Sequence, residues 1–159
     1  MPLASIIVPA FNVVKTLPST LNALITQTFR NYEIIVVNDG STDPTAALLQ
    51  DYADLPRFKI ITQRNRGLAG ARNTGISAAH GEFIGFCDAD DLWLPEKLAR
   101  HVAHLQSAPN IGVSYSGSTL IDEKGASLGV AQKPRLKNIT PAHIFKRNPI
   151  GNGSAPVIR

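Results

Sequence analysis

Glu33-Ile34-Ile35-Val36-Val37-Asn38-Asp39-Gly40-Ser41-Thr42-Asp43 reads as an apolar, β-branched strand over Glu33–Val37 that breaks off into turn-forming residues. On its N-terminal side, Leu17, Leu21, Leu24, Ile25 and Thr28 recur at helical spacing, with Thr16 as N-cap and Pro18 in the first turn. A second strand, Ala4–Val8, precedes them. On the C-terminal side Asp43-Pro44 opens a short helix over Thr45–Tyr52. Further strands are expected at Phe58–Thr62, Glu82–Phe86 and Val113–Ser116, and further helices from Leu68 to Ala79, closed by Gly81, and from Pro95 to Gln106. Strand and helix alternate four times, which predicts an α/β fold: a Rossmann-like, mostly parallel sheet with helices on both faces. Beyond Val113 the pattern changes to a hairpin (Ser118–Asp122 and Ala126–Val130 around Glu123-Lys124-Gly125), a short helix at Pro141–Arg147 and a strand at Ser154–Ile158. The chain stops on that strand and reads as cut rather than finished.

The 159 residues (17.1 kDa) fit one domain, and folding a chain of this length removes roughly 70% of its extended surface from water. With 43% hydrophobic and 18% charged residues, the composition excludes a mainly disordered chain. Cys87 is the sole cysteine, so packing rather than a disulfide must stabilise the fold, in keeping with a reducing compartment. The N-terminus lacks a basic n-region and no apolar run approaches ~18 residues, so the expected location is cytoplasmic, without a transmembrane segment. The net charge of +4 is unevenly spread: residues 124–159 hold seven basic residues and no acid, whereas the first 123 hold nine basic and twelve acidic ones. The basic segment is either a solvated face or one that meets an anionic acceptor, a phosphate or an acidic membrane surface. Its single aromatic, Phe145, offers no stacking platform for nucleic acid.

In a parallel sheet the loops that follow the strands emerge at one edge, where ligands bind. Here those loops are Pro9–Asn12, Asn38–Asp43, Gln63–Gly67 and Cys87–Asp91, which carry an aromatic ring, carboxylates, arginines and glycines. Asp88-Ala89-Asp90-Asp91 gathers three carboxylates at a strand end, where they repel one another unless a cation or strong donors neutralise them. Mg²⁺ or Mn²⁺ suits such oxygens; the competing reading makes Asp91 the cap of a helix starting near Leu94-Pro95. A calcium loop is excluded by Leu92 and Trp93 at its fifth and sixth positions. Zinc is poorly supported, because His101 and His104 have no cysteine pair and read as a solvated helix face, and His80 and His143 lack partners. Asp39 is either turn chemistry or an acceptor for a base N–H or ribose hydroxyl, with Gly40 allowing close approach. Phe11 is either packing or a stacking ring, and Arg72, early in a helix, gains nothing from the helix dipole and so leans toward a ligand. No G-x-G-x-x-G follows the first strand, which disfavours a dinucleotide site.

Ser5–Asn12, Gln27-Thr28-Phe29, Glu33–Asp43, Asn65–Gly75 and Asp88–Asp91, in that order and at that spacing, resemble the family 2 glycosyltransferases over most of residues 3 to 98. The resemblance implies a GT-A fold and inverting transfer of a sugar from a nucleoside diphosphate donor, usually UDP-linked, with Mn²⁺ or Mg²⁺. It also implies that Pro9 and Phe11 frame the base, that Asp39 hydrogen-bonds it and that Arg72 contacts the nucleotide. Asp88 would hold the ribose or metal side and Asp90 the metal, with Asp91 less directly matched. Residues 1–106 then form the donor-binding half and 107–159 the start of an incomplete acceptor-side part, facing a saccharide or lipid-linked acceptor with peripheral membrane contact. The family's catalytic base is a carboxylate after the acceptor-side strand, often in a Glu-Asp pair. No acid follows Glu123 here, and Asp122-Glu123 has the reversed order, so the base is expected beyond Arg159. Two other functions compete: a phosphatase or nucleotidyltransferase using Asp88 and Asp90, and a non-catalytic nucleotide-sugar binding module. Asn138-Ile139-Thr140 and Asn152-Gly153-Ser154 match the glycosylation sequon, which a cytosolic chain would not use.

Overall fold

The computed structural model describes residues 1–134, 139–140, 142 and 150–159. Its strands are β1 (Ala4–Ala10), β2 (Tyr32–Asn38), β3 (Phe58–Thr62), β4 (Phe83–Phe86), β5 (Val113–Tyr115), β6 (Ser118–Ile121), β7 (Ser127–Gln132) and β8 (Pro156–Ile158). Six of them form one sheet in the order β3-β2-β1-β4-β8-β5, and β6 and β7 pair as a separate hairpin. The first four strands run parallel, while β8 is antiparallel to both β4 and β5. Chain order proceeds outward from β1 to β3 and then returns to β4 on the other side of β1, so the strand order reverses between β1 and β4. Ligands of open α/β sheets bind at such a reversal, outside the carboxyl ends of the strands.

Every residue of β1 is buried because helices cover both faces of the sheet. Ile6, Val8, Ile34 and Val36 alternate onto one face, against Leu17, Leu21 and Leu24 of α1 (Leu17–Ile25) and Leu98, Val102 and Leu105 of α4 (Lys97–Ser107). Each fully buried leucine there contributes about 2 kcal/mol. Ile35 and Val37 face the other way, against Ala71 of α3 (Gly67–Ala78), and Gly75 lies so close to Ile7 that a Cβ would overlap the Ile7 side chain.

Apart from the helix expected over Pro141–Arg147, the strands and helices expected from the sequence are present, with differences at their ends. Thr16 precedes α1 but its side chain makes no capping bond; the backbone carbonyl of Val13 accepts the N–H groups of Thr16 and Leu17 instead. The helix stops at Ile25, short of Thr28, because the Thr26 hydroxyl donates to the Asn22 and Ala23 carbonyls and takes over the helix end. Thr45–Tyr52 divides into α2 (Thr45–Leu48) and a 3-10 turn (Leu49–Tyr52). Nor does Asp91 cap the next helix, which begins at Lys97. Its Leu98 N–H donates to Oε1 of Gln27, whose Nε2 donates to the carbonyls of Ala23 and Leu94. Gln27, fully buried, thus closes α1 and opens α4 with one amide. Gln27→Leu is expected to orphan these groups at a cost of about 3 kcal/mol, lowering the melting temperature by roughly 6–12 °C. A melt within 2 °C of the wild type would refute that role.

The hairpin forms as expected, closed by Asp122, whose Oδ1 accepts the N–H groups of Lys124 and Ala126. The helix expected over Pro141–Arg147 lies, apart from Ala142, outside the described residues, as do Phe145 and His143 and, of the basic segment, Arg135, Lys137, Lys146 and Arg147. Arg159 is not part of a free basic face: it pairs with Glu82 at 2.8 Å. No helix among the described residues is long and apolar enough to cross a membrane.

Candidate functional site

The loops after β1, β2, β3 and β4 meet around an open cavity of about 270 Å³ at the carboxyl edge of the sheet. Pro9, Phe11, Asp39, Asn65, Asp88 and Asp90 are among its walls. Arg72, Asp91 and Gly40 are not in the lining, although Ala71, beside Arg72, is.

Asn12 holds the first two loops together. It adopts the left-handed conformation (φ 55°), donates its N–H to the Ser41 hydroxyl, and accepts the Thr42 and Asp43 N–H groups on Oδ1. The backbone reversal at Asn12 leaves the neighbouring Phe11 ring 47% exposed at the cavity wall, available to stack on a planar ligand. Opposite it, Asp39 is buried at the end of β2; its Oδ1 accepts Gln63 Nε2 at 2.6 Å and the Arg66 N–H at 2.9 Å. Gly40 (φ +74°) makes this possible, since a Cβ there would stand 2.8 Å from the Asn65 backbone nitrogen.

On the other side, Asp88 Oδ1 accepts Arg72 Nη2 at 2.6 Å, and the Arg72 guanidinium also lies over the Phe86 ring at 5.5 Å. Arg72 therefore serves Asp88 in this arrangement. Both are covered by a segment that motif reading passed over. Asn152-Gly153-Ser154, considered above only as a sequon, returns beside the carboxylate loop as β8 enters the sheet next to β4. The Asp88 N–H donates to the Ser154 hydroxyl at 2.8 Å, and a Cβ on Gly153 would run into the Arg72 guanidinium. Asp90 is exposed and makes no hydrogen bond or ion pair among the described residues, which leaves its carboxylate free toward the cavity. Asp91 is half-buried, and burial raises its pKa, as do the charges of Asp90 and Asp88; Ser154 and Lys97 oppose them.

No cluster of three or more metal-ligating side chains occurs among the described residues. Two carboxylates beside an open, anion-sized cavity do match how Mg²⁺ and Mn²⁺ are held in phosphate sites, where ligand phosphate oxygens and water complete the shell. Asp88 and Asp90 fit that donor set.

Behind the carboxylate loop sits a polar network that the sequence reading missed. Lys97 Nζ donates to the Ala155 carbonyl and to the Ser116 hydroxyl, contacts His101 Nε2 at 3.1 Å and lies 4.8 Å from the Trp93 ring centroid. His101 is buried rather than solvated, because β5 packs over α4 and brings Ser114 to its Nδ1 at 2.7 Å; only His104 of the pair is exposed. An ammonium can only donate, so His101 accepts at Nε2 and carries its proton on Nδ1. Burial pulls Lys97 down to about 8, against Cys87 and Asp91, and pulls His101 down to about 4, helped by Lys97 and His104. Between pH 6.5 and about 4 the unfolded chain takes up a proton at His101 that the folded chain refuses, so stability falls as pH falls through that window. A denaturation midpoint followed across it should drop in the wild type and change less in His101→Gln, which keeps one donor and one acceptor. Equal slopes would refute the assignment.

The family model described as Glycosyl transferase family 2 matches residues 5–148. The chain is 35% identical over 121 residues to the Escherichia coli UDP-Glc:alpha-D-GlcNAc-diphosphoundecaprenol beta-1,3-glucosyltransferase WfgD, covering 76% of this chain and 47% of that protein. Among solved structures, S. aureus TarS 1-349 in complex with UDP-GlcNAc matches with TM-score 0.62 and 33% identity, over 67% of this chain and 32% of that one. The mannosyltransferase PcManGT from Pyrobaculum calidifontis, in complex with GDP-Man and Mn2+, matches with TM-score 0.74 and 23% identity, over 99% and 44%. The chain thus spans less than half the length of each, and these likenesses bear out the expected GT-A architecture.

Proposed function

Since the chain belongs to glycosyl transferase family 2, we propose that its cavity binds the nucleoside diphosphate of a sugar donor, a UDP-sugar, for metal-assisted, inverting transfer to a saccharide or lipid-linked acceptor. One observation carries the reading: Phe11, Asp39, Asp88 and Asp90, from three separate loops, line a single cavity. Phe11 stacks on the base while Pro9 shapes the wall beside it, and Asp39 accepts an N–H from the base edge. Asp88 and Asp90 are the residues that would hold Mn²⁺ or Mg²⁺ there. When bound, that cation offsets the charge that builds on the departing diphosphate. Arg72 keeps Asp88 aimed and moderates the repulsion within the acidic loop.

UDP is favoured as the nucleotide because TarS, solved with UDP-GlcNAc, is the nearer of these two liganded neighbours in sequence, at 33% identity against 23%. Membership of this family favours sugar transfer over the phosphatase and nucleotidyltransferase readings of Asp88 and Asp90. Among the described acids after Asp91, Glu96 is paired with Arg100, Asp122 is occupied by its own turn and Glu123 is exposed on the hairpin; none lines the cavity as a base. Donor binding is therefore the activity to test. Calorimetric titration with UDP is expected to give one saturable site in Mn²⁺ and weaker binding in EDTA. No heat at millimolar UDP would overturn the proposal.

A further inference from the structure

We propose that Thr74 and Gln63 are positioning residues that fix Asp39 as an acceptor toward the cavity and so select bases carrying a ring N–H, such as uracil, thymine or guanine, over cytosine and adenine. The inference rests on the reading of the cavity as a nucleotide site. Three elements contribute to it: Asp39 follows β2, Gln63 follows β3 and Thr74 lies on α3. The Thr74 hydroxyl donates to Gln63 Oε1 at 2.6 Å, which commits the Gln63 oxygen to Thr74 and turns its NH₂ to Asp39, again at 2.6 Å. Without Thr74 the amide loses the donor that anchors its oxygen and can swing away from Asp39.

Both protein donors, Gln63 Nε2 and the Arg66 N–H, converge on Oδ1. Oδ2 makes no hydrogen bond among the described residues, so the oxygen left to a ligand is an acceptor held in one orientation in the cavity wall. A ring N–H satisfies it. The bare ring nitrogen of cytosine or adenine places two acceptors face to face, and a site built around a buried polar group rejects the ligand that leaves it unpaired. The relay is not needed to join β2 to β3, since the Gln63 N–H already donates to the Asn38 carbonyl at 3.0 Å. What the side chains add is control of one carboxylate.

The test compares the affinities of UDP and CDP, in Mn²⁺, for the wild type, Gln63→Leu, Thr74→Val, Thr74→Ser and Asp39→Asn. The wild type should prefer UDP. That preference should shrink about tenfold in Gln63→Leu and Thr74→Val and be retained in Thr74→Ser, with melting temperatures within ~3 °C of the wild type. Thr74→Val, which is isosteric, decides the matter if Gln63→Leu fails to fold. A UDP-to-CDP ratio unchanged in Thr74→Val, with UDP binding still lost in Asp39→Asn, overturns this inference and leaves the nucleotide reading standing. A wild type that binds neither nucleotide overturns both.

Discussion

Asp90→Ala is expected to weaken UDP binding in Mn²⁺ roughly a hundredfold, or about 2.7 kcal/mol, and to leave binding in EDTA unchanged. Asp90 is the one carboxylate of the acidic loop that is exposed and has no hydrogen-bond or ion-pair partner among the described residues. Asp88 is paired with Arg72, and Asp91 is drawn inward beneath Ser154. A side chain left exposed between two like charges contributes nothing to folding, so the variant should melt at or slightly above the wild-type temperature. Calorimetry with and without Mn²⁺ checks the first part and a thermal melt the second. Equal UDP affinity in Mn²⁺ would remove Asp90 from the cation site.

Asp39→Ala should have the opposite profile. UDP affinity is expected to fall roughly a hundredfold in Mn²⁺ and in EDTA alike, because the lost contact is to the base and not to the diphosphate. Stability should fall as well, by about 2–4 kcal/mol, because Gln63 Nε2 and the Arg66 N–H lose their shared acceptor next to a buried wall. Titrations in the two buffers, together with a melt, distinguish this from the Asp90 variant. A defect seen only with metal would place Asp39 on the phosphate side and contradict its assignment to the base.

Much of this site was legible in the sequence because its logic is topological. β-branched runs such as Ile34–Val37 announce parallel strands, and parallel strands deliver their following loops to one edge, so Phe11, Asp39 and Asp90 could be grouped before any coordinates. What escaped notice depends on long-range contacts that no local pattern encodes. Gln27 caps a helix 71 residues away, and an unpaired glutamine after a helix carries no signal of that. Ser154 reaches Asp88 only because β8 inserts antiparallel between β4 and β5, an order that strand alternation does not predict. His101 looked solvated beside His104 for the same reason: Ser114 of β5 reaches both rings, but only His101 is buried beneath that strand.

The most direct measurement is a backbone amide NMR map of the chain titrated with UDP and then with Mn²⁺. Paramagnetic broadening should centre on Asp88–Asp91, while UDP alone shifts Ala10–Asn12 and Asn38–Gly40. Broadening centred on His101 and His104, or UDP shifts confined to a single loop, would contradict a shared donor site at the carboxyl edge of the sheet.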